Sequence, residues 1–137
     1  MSEAGKRIER ERGGSLVEMA LALFLLLLLL AGVIDVGRAF GSYAIITNAA
    51  REGARYGARF SWHEAGIRSA VTTEAADSGV PPEALGISVA GLSAPAGEAI
   101  RVTVSYDFAT ILGSIIGAPS LSLSSSTAMV VFLGPGG

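Results

Sequence analysis

Side chains able to act as nucleophile, base or metal ligand are scarce in this chain. Its 137 residues include one histidine, His63, and no cysteine. His63 therefore has no second imidazole or thiolate with which to build a metal site, and it reads as a surface residue. Serines gather at Ser122, Ser124, Ser125 and Ser126. No base stands at a spacing that would activate one, so they read as the solvated face of a strand. The glycines are dispersed and lack the lysine that a phosphate-binding loop needs. The expectation is no enzyme, no metal and no cofactor. A net charge of −2 leaves no broad basic surface to neutralise phosphates, which argues against nucleic acid. The residue whose chemistry stands out is Glu18, a carboxylate at the mouth of a long apolar run. At a membrane boundary such a group is a cost unless it gains a positive partner.

The element that would hold Glu18 there is a helix. Half of the residues are hydrophobic and 16% are charged, and much of that excess lies in one block. Met19 to Ile34 carries no charge and includes Leu21, Leu23 and the continuous run Leu25 to Leu30. Its sixteen residues rise about 24 Å as a helix, slightly short of a hydrocarbon core of roughly 30 Å. Adding Leu16 and Val17 before it, and Val36 and Gly37 after it, closes the gap at the expense of admitting Glu18 and Asp35. The eight leucines with Phe24, Val33 and Ile34 contribute roughly −3 to −7 kcal/mol toward insertion. A carboxylate near either end costs less than the roughly 3 kcal/mol of one at the bilayer centre. Insertion wins, and membrane lipid is the first partner. Lys6, Arg7, Arg10 and Arg12 precede the span, while Arg38 alone follows it closely. That asymmetry predicts a cytoplasmic N-terminus and an extracytoplasmic C-terminal part.

Three readings meet at Arg12-Gly13-Gly14-Ser15-Leu16-Val17-Glu18-Met19. Ser15-x-x-Glu18 has the spacing of a capping box, and a carboxylate in a first turn suits the helix dipole. An ordinary secretory signal is a second reading, with Ala39 and Gly41 as small residues at a cleavage site. The third is a resemblance. A basic leader, Gly13, then Gly14 to Glu18 and an apolar helix together look like the type IV prepilin cleavage motif. The resemblance implies a prepilin peptidase that cuts on the cytoplasmic side after a glycine and leaves glutamate as the fifth residue of the mature chain. Cleavage after Gly13 makes Glu18 that residue, whereas cleavage after Gly14 would make it the fourth. It further implies that Glu18 meets the new N-terminal amine of a neighbouring subunit.

A longer match follows. Val36 to Phe40 leads into Thr47-Asn48-Ala49-Ala50-Arg51-Glu52-Gly53-Ala54-Arg55-Tyr56-Gly57-Ala58. This stretch resembles the TadE-like family, minor pilins or pseudopilins of tight-adherence pilus systems, with Asn48, Arg51, Glu52 and Arg55 carrying the motif. Ile100 to Tyr106 and the Ser/Thr-rich last strand are similar to that family's C-terminal half. Met19 departs from its usual phenylalanine, and Asp107 stands where a proline is common. Read without the family, Arg51, Arg55 and Arg59 form a basic helix face beside Asn48, with Glu52 paired to Arg55 or Tyr56. The other face presents Ile46, Ala49, Gly53, Gly57 and Phe60. Glycine inside a helix costs about 1 kcal/mol relative to alanine. Ala49, Gly53 and Gly57 thus mark close packing, against either this chain's own sheet or the helix of another subunit.

Beyond the helix, Ser61-x-x-Glu64 has capping-box spacing and opens a second helix to about Asp77, closed by Gly79 and Pro81-Pro82. Ile87 to Val89 is a short strand. Ile100, Val102, Val104, Tyr106 and Phe108 alternate with Arg101, Thr103, Ser105 and Asp107, a strand with one buried and one wet face. Ala109 to Pro119 is an apolar connection whose Ile111, Leu112, Ile115 and Ile116 need cover. Leu121 to Phe132 is the last strand, and Gly134 to Gly137 a tail.

The predicted organisation is a basic leader over 1–13, a transmembrane helix over 14–37, its extension over 38–60 and a small extracytoplasmic domain over 61–137. The fold class is α+β, a long N-terminal helix and a short second helix with an antiparallel sheet of about three strands. The resemblance implies a single-pass membrane protein acting in assembly of an adhesive pilus, with prepilin peptidase, other pilin subunits and pilus assembly components as partners. It would sit in the cytoplasmic membrane, in or at the base of a surface pilus. The alternative is a membrane-anchored extracytoplasmic binding domain that never enters a filament.

Overall fold

One helix runs through four fifths of the molecule's first seventy residues. The computed structural model describes residues 3–135, with side chains from residue 13 onward. The side chains of Lys6, Arg7, Arg10 and Arg12, and the Gly136-Gly137 end of the tail, lie outside the described residues. Helix α1 spans Glu3–Gly57 as a single 55-residue rod, which corresponds to about 80 Å. The boundaries drawn from sequence at 13/14 and 37/38 fall inside it. Ser15 is consequently mid-helix rather than at a helix start, so the Ser15–Glu18 capping box does not exist in the uncut chain. The extension also stops at Gly57 rather than at residue 60.

A tight corner follows α1, with the amide of Phe60 donating to the Tyr56 carbonyl at 3.0 Å and that of His63 to the Phe60 carbonyl at 3.0 Å. Helix α2, Glu64–Asp77, then returns along α1. Its N-cap is His63, without a side-chain cap, so the capping role expected of Ser61 is corrected. The corner turns Ser61 inward, where it is fully buried and its hydroxyl donates to the Ala94 carbonyl at 2.9 Å. Gly79, at φ +88°, ends the helix in the left-handed region.

After a single 3-10 turn at Pro82–Ala84, three strands form an antiparallel sheet in the order β1-β2-β3. They are β1 Leu85–Ala90, β2 Ala99–Ala109 and β3 Ser120–Val130. A short helix, α3 Ile111–Ile116, lies in the connection between β2 and β3, where the sequence suggested only an apolar link. The architecture is α+β.

The core lies between the C-terminal half of α1, α2 and one sheet face. Ile46, Ile67, Val71, Ile100, Val102 and Val104 are fully buried there, each contributing about 1.5–3 kcal/mol. Alternation along β2 puts Ile100, Val102 and Val104 into this layer, buries Phe108 beside Arg38, and leaves Arg101 and Asp107 exposed. Ser125 departs from its expected place on the wet surface. It is buried, and its hydroxyl accepts from Thr47 Oγ1 at 3.0 Å, tying α1 to β3. Ser122, Ser124 and Ser126 are exposed.

Candidate functional site

Every side chain of α1 from residue 13 to residue 27 is exposed. From Leu16 to Val36 the large apolar side chains are exposed, apart from a partly covered Leu28. The apolar window of the helix contains no buried residue. In water this exposure would be a large unfavourable apolar surface; in lipid it is the matching one. By length and composition this is the one helix among the described residues able to cross a membrane.

At the N-terminal end of this stretch Gly13, Gly14, Glu18 and Met19 are all exposed. No atom lies within 4 Å of the place a Cβ would occupy on Gly13 or Gly14, so their lack of a side chain makes room for nothing within the chain. Glu18 takes part in no ion pair or side-chain hydrogen bond among the described residues. No described side chain supplies the carboxylate with a partner.

The C-terminal end of the stretch holds a second carboxylate, and it behaves differently. Asp35 is only 7% exposed. Its Oδ1 accepts from the backbone N–H of Ile111 at 2.9 Å and its Oδ2 from that of Leu112 at 2.7 Å. One side chain on α1 thereby satisfies two of the orphan amides at the start of α3. Arg38 completes the arrangement, with Nη1 3.4 Å from Asp35 Oδ1 and its guanidinium 4.9 Å from the centre of the Phe108 ring. Sequence reasoning treated Asp35 as a tolerated cost and missed this role, because its partners lie 76 and 77 residues away. The available hint was an acidic residue at the end of an apolar run with arginine three positions later. Asp35→Ala should leave both amides unpaired. Hydrogen exchange at Ile111 and Leu112 should accelerate by roughly tenfold or more, with exchange at Val102 and Val104 unchanged.

The family-motif residues divide between two faces of α1. Asn48, Arg51 and Arg55 are exposed, and Glu52 pairs with Arg55; Arg59, expected on the same basic face, is exposed in the turn after the helix. Ala49, Gly53 and Gly57 are buried inside the chain. A Cβ on Gly53 would collide with Val71 and lie 3.2 Å from Val102, and one on Gly57 would lie 2.8 Å from Ile100. These three residues therefore pack against the chain's own α2 and sheet, and that face of the helix is not free for another subunit. Phe60, assigned to the same face, is instead exposed, stacked beside Tyr56 and Trp62. His63 is exposed, with Nδ1 2.8 Å from the Tyr56 hydroxyl. Among the described residues no group of three or more His, Asp or Glu could hold a metal ion.

The pattern is thus an exposed apolar rod with a glutamate at its N-terminal end that no described side chain partners, continuing into a helix whose small residues seat a sheet. Comparison with known proteins bears on that rod. Residues 13–55 match the TadE-like protein family. The matched stretch begins at Gly13, contains Glu18, Asp35 and the Asn48–Arg55 motif, and lies wholly within α1. The strands from Ile100 onward, also likened to the family from sequence, lie outside the match. No curated protein and no solved structure matches the chain. A TadE-like match and a hydrophobic N-terminal helix fit a single-pass membrane protein associated with a tight-adherence pilus.

Proposed function

We infer that this TadE-like chain is a minor pilin or pseudopilin that takes part in assembling an adhesive tight-adherence pilus, acting by packing rather than catalysis. The observation that carries the reading is Glu18, held at the start of the exposed apolar stretch of α1 with no side-chain partner among the described residues. A carboxylate at that depth needs a positive charge, and a freshly cut N-terminal amine on a neighbouring subunit would supply one. Lys6, Arg7, Arg10 and Arg12 ahead of the helix, against Arg38 just behind it, favour a cytoplasmic N-terminus and an outer C-terminal domain.

The helical leader adds a physical reason for the cleavage position. Gly13 and Gly14 sit side by side inside α1, each about 1 kcal/mol less favourable in a helix than alanine. The rod is weakest where a peptidase would need to open it. Cutting after Gly13 would put Ser15 and Glu18 into the first turn of the shortened helix, restoring the capping-box setting that the uncut chain lacks. N-terminal sequencing of the membrane-extracted protein tests this, with a chain starting at Gly14 expected. An uncut N-terminus would overturn the processing step and favour the second reading, while a start near Ser42 would point to ordinary secretion.

That second reading is a membrane-anchored binding domain outside any filament. The observation in its favour is the exposed aromatic corner far from the membrane helix, where Phe60 and Trp62 meet edge to face at 5.8 Å.

A further inference from the structure

We propose that α3 is a second membrane contact, a short apolar wedge lying in the outer leaflet beside α1, with lipid acyl chains filling the cleft between them. The proposal rests on the reading of α1 as a membrane span. Its first support is position. α3 docks on α1 at Gly32, where a Cβ would lie 3.4 Å from Leu112 Cδ2, and at Asp35. Both residues belong to the stretch assigned to the bilayer. Gly32 lies six residues, or about 9 Å along the helix, inside Arg38, the first basic residue after the apolar block. That is the depth at which interfacial apolar elements rest.

Its second support is surface chemistry. Ile115 and Ile116 are 60% and 69% exposed, and Val36 and Leu121 nearby are also exposed. No charged residue occurs after Asp107, so the whole connection between β2 and β3 can enter lipid without burying an ion. Between α3 and α1 lies an open cleft of ≈ 660 Å³, walled by Leu29, Val33, Val36, Leu112 and Ile116. One wall of that cleft is the span itself, which makes lipid its natural filling.

Its third support is the backbone. A non-helical segment survives at membrane depth only if its polar groups are satisfied internally. Asp35 takes the amides of Ile111 and Leu112. The Thr110 amide donates to the Pro119 carbonyl at 2.9 Å, and that of Ala118 to the Gly113 carbonyl at 2.7 Å. The Thr110 and Ser114 hydroxyls donate to the carbonyls of Ala118 and Thr110 at 3.2 and 2.7 Å. The amides at the start of α3 and at the close of the connection are thus paired within the protein, which lowers the cost of carrying them to membrane depth.

The cysteine-free sequence makes the test direct. Ile116→Cys, Leu26→Cys and Ala128→Cys variants of the full chain are each labelled with an environment-sensitive fluorophore. Each is reconstituted in phosphatidylcholine vesicles with ordinary or brominated acyl chains. The expected result is loss of most emission in brominated lipid at both Leu26→Cys and Ile116→Cys, with no loss at Ala128→Cys. Adding Asp35→Ala should restore emission at Ile116→Cys while leaving Leu26→Cys quenched. Quenching at Leu26→Cys alone would overturn the wedge and leave the span standing. Absence of quenching at Leu26→Cys would remove the span, and the wedge with it. A blue-shifted but unquenched Ile116→Cys label would mean that protein, such as a second copy of this chain, covers α3, and would also overturn the proposal.

Discussion

Gly53→Leu should cost the C-terminal domain about 3 kcal/mol, the upper end of the usual overpacking penalty. Small domains have roughly 5–15 kcal/mol of stability in total, so the loss is a large fraction of what is available. The site is closed on three sides. A Cβ alone would collide with Val71 and stand 3.2 Å from Val102 and 3.6 Å from the Ile67 carbonyl oxygen. Valine is stiff about χ1 and the carbonyl belongs to α2, so neither yields without moving an element. Gly41→Leu is the control on the same helix, since nothing lies within 4 Å of its Cβ position. It should be neutral, or stabilising by up to about 1 kcal/mol through helix propensity. Denaturant unfolding of the full chain in detergent, followed by Trp62 fluorescence, compares the two. Equal midpoints would mean that the sheet is not seated on Gly53.

The second large effect concerns assembly. Under the pilin reading, Glu18→Ala should insert into the membrane at least as well as the parent, because it removes a charge from the lipid boundary. Yet surface fibres should fall by roughly tenfold or more, the consequence of losing a desolvated charge pair between subunits. Fibre counts by electron microscopy, with the membrane fraction assayed in parallel, separate the two consequences. A fall in both would indicate loss of the protein instead of loss of a contact. Normal fibres in the variant would remove Glu18 from the assembly step. Glu18→Gln sharpens the result, since it keeps the shape and much of the polarity but not the charge. Recovery of fibres with glutamine would mean that a hydrogen bond suffices and that an amine partner is unnecessary.

These two residues mark where sequence reasoning is strong and where it stops. Glu18 could be singled out from sequence because its peculiarity is local, a carboxylate beside sixteen uncharged residues. Gly53 and Gly57 were recognisable as close-packing positions because glycine is disfavoured in a helix without a reason. Which surface they meet is not legible in the sequence, since their neighbours Val71 and Ile100 come from elements later in the chain. Ser61 misled for a related reason. Its spacing to Glu64 suits a cap, but a buried hydroxyl takes whichever partner the fold brings to it, here the carbonyl of Ala94.

Local pattern alone determined the apolar rod, the alternating strand β2 and the α+β class. Each of these depends on periodicity or composition within a short window, where side-chain hydrophobicity and backbone geometry act directly. Tertiary structure decided the rest: the burial of Ser125 against Thr47, the seating of the sheet on the glycine face, and above all the use of Asp35. From sequence that carboxylate is a cost at the end of a span. In the fold it is the acceptor for two amides brought from the other end of the chain. The difference arises because the free energy of a buried polar group is set by its partners, and partners distant in sequence exist only once the chain has folded.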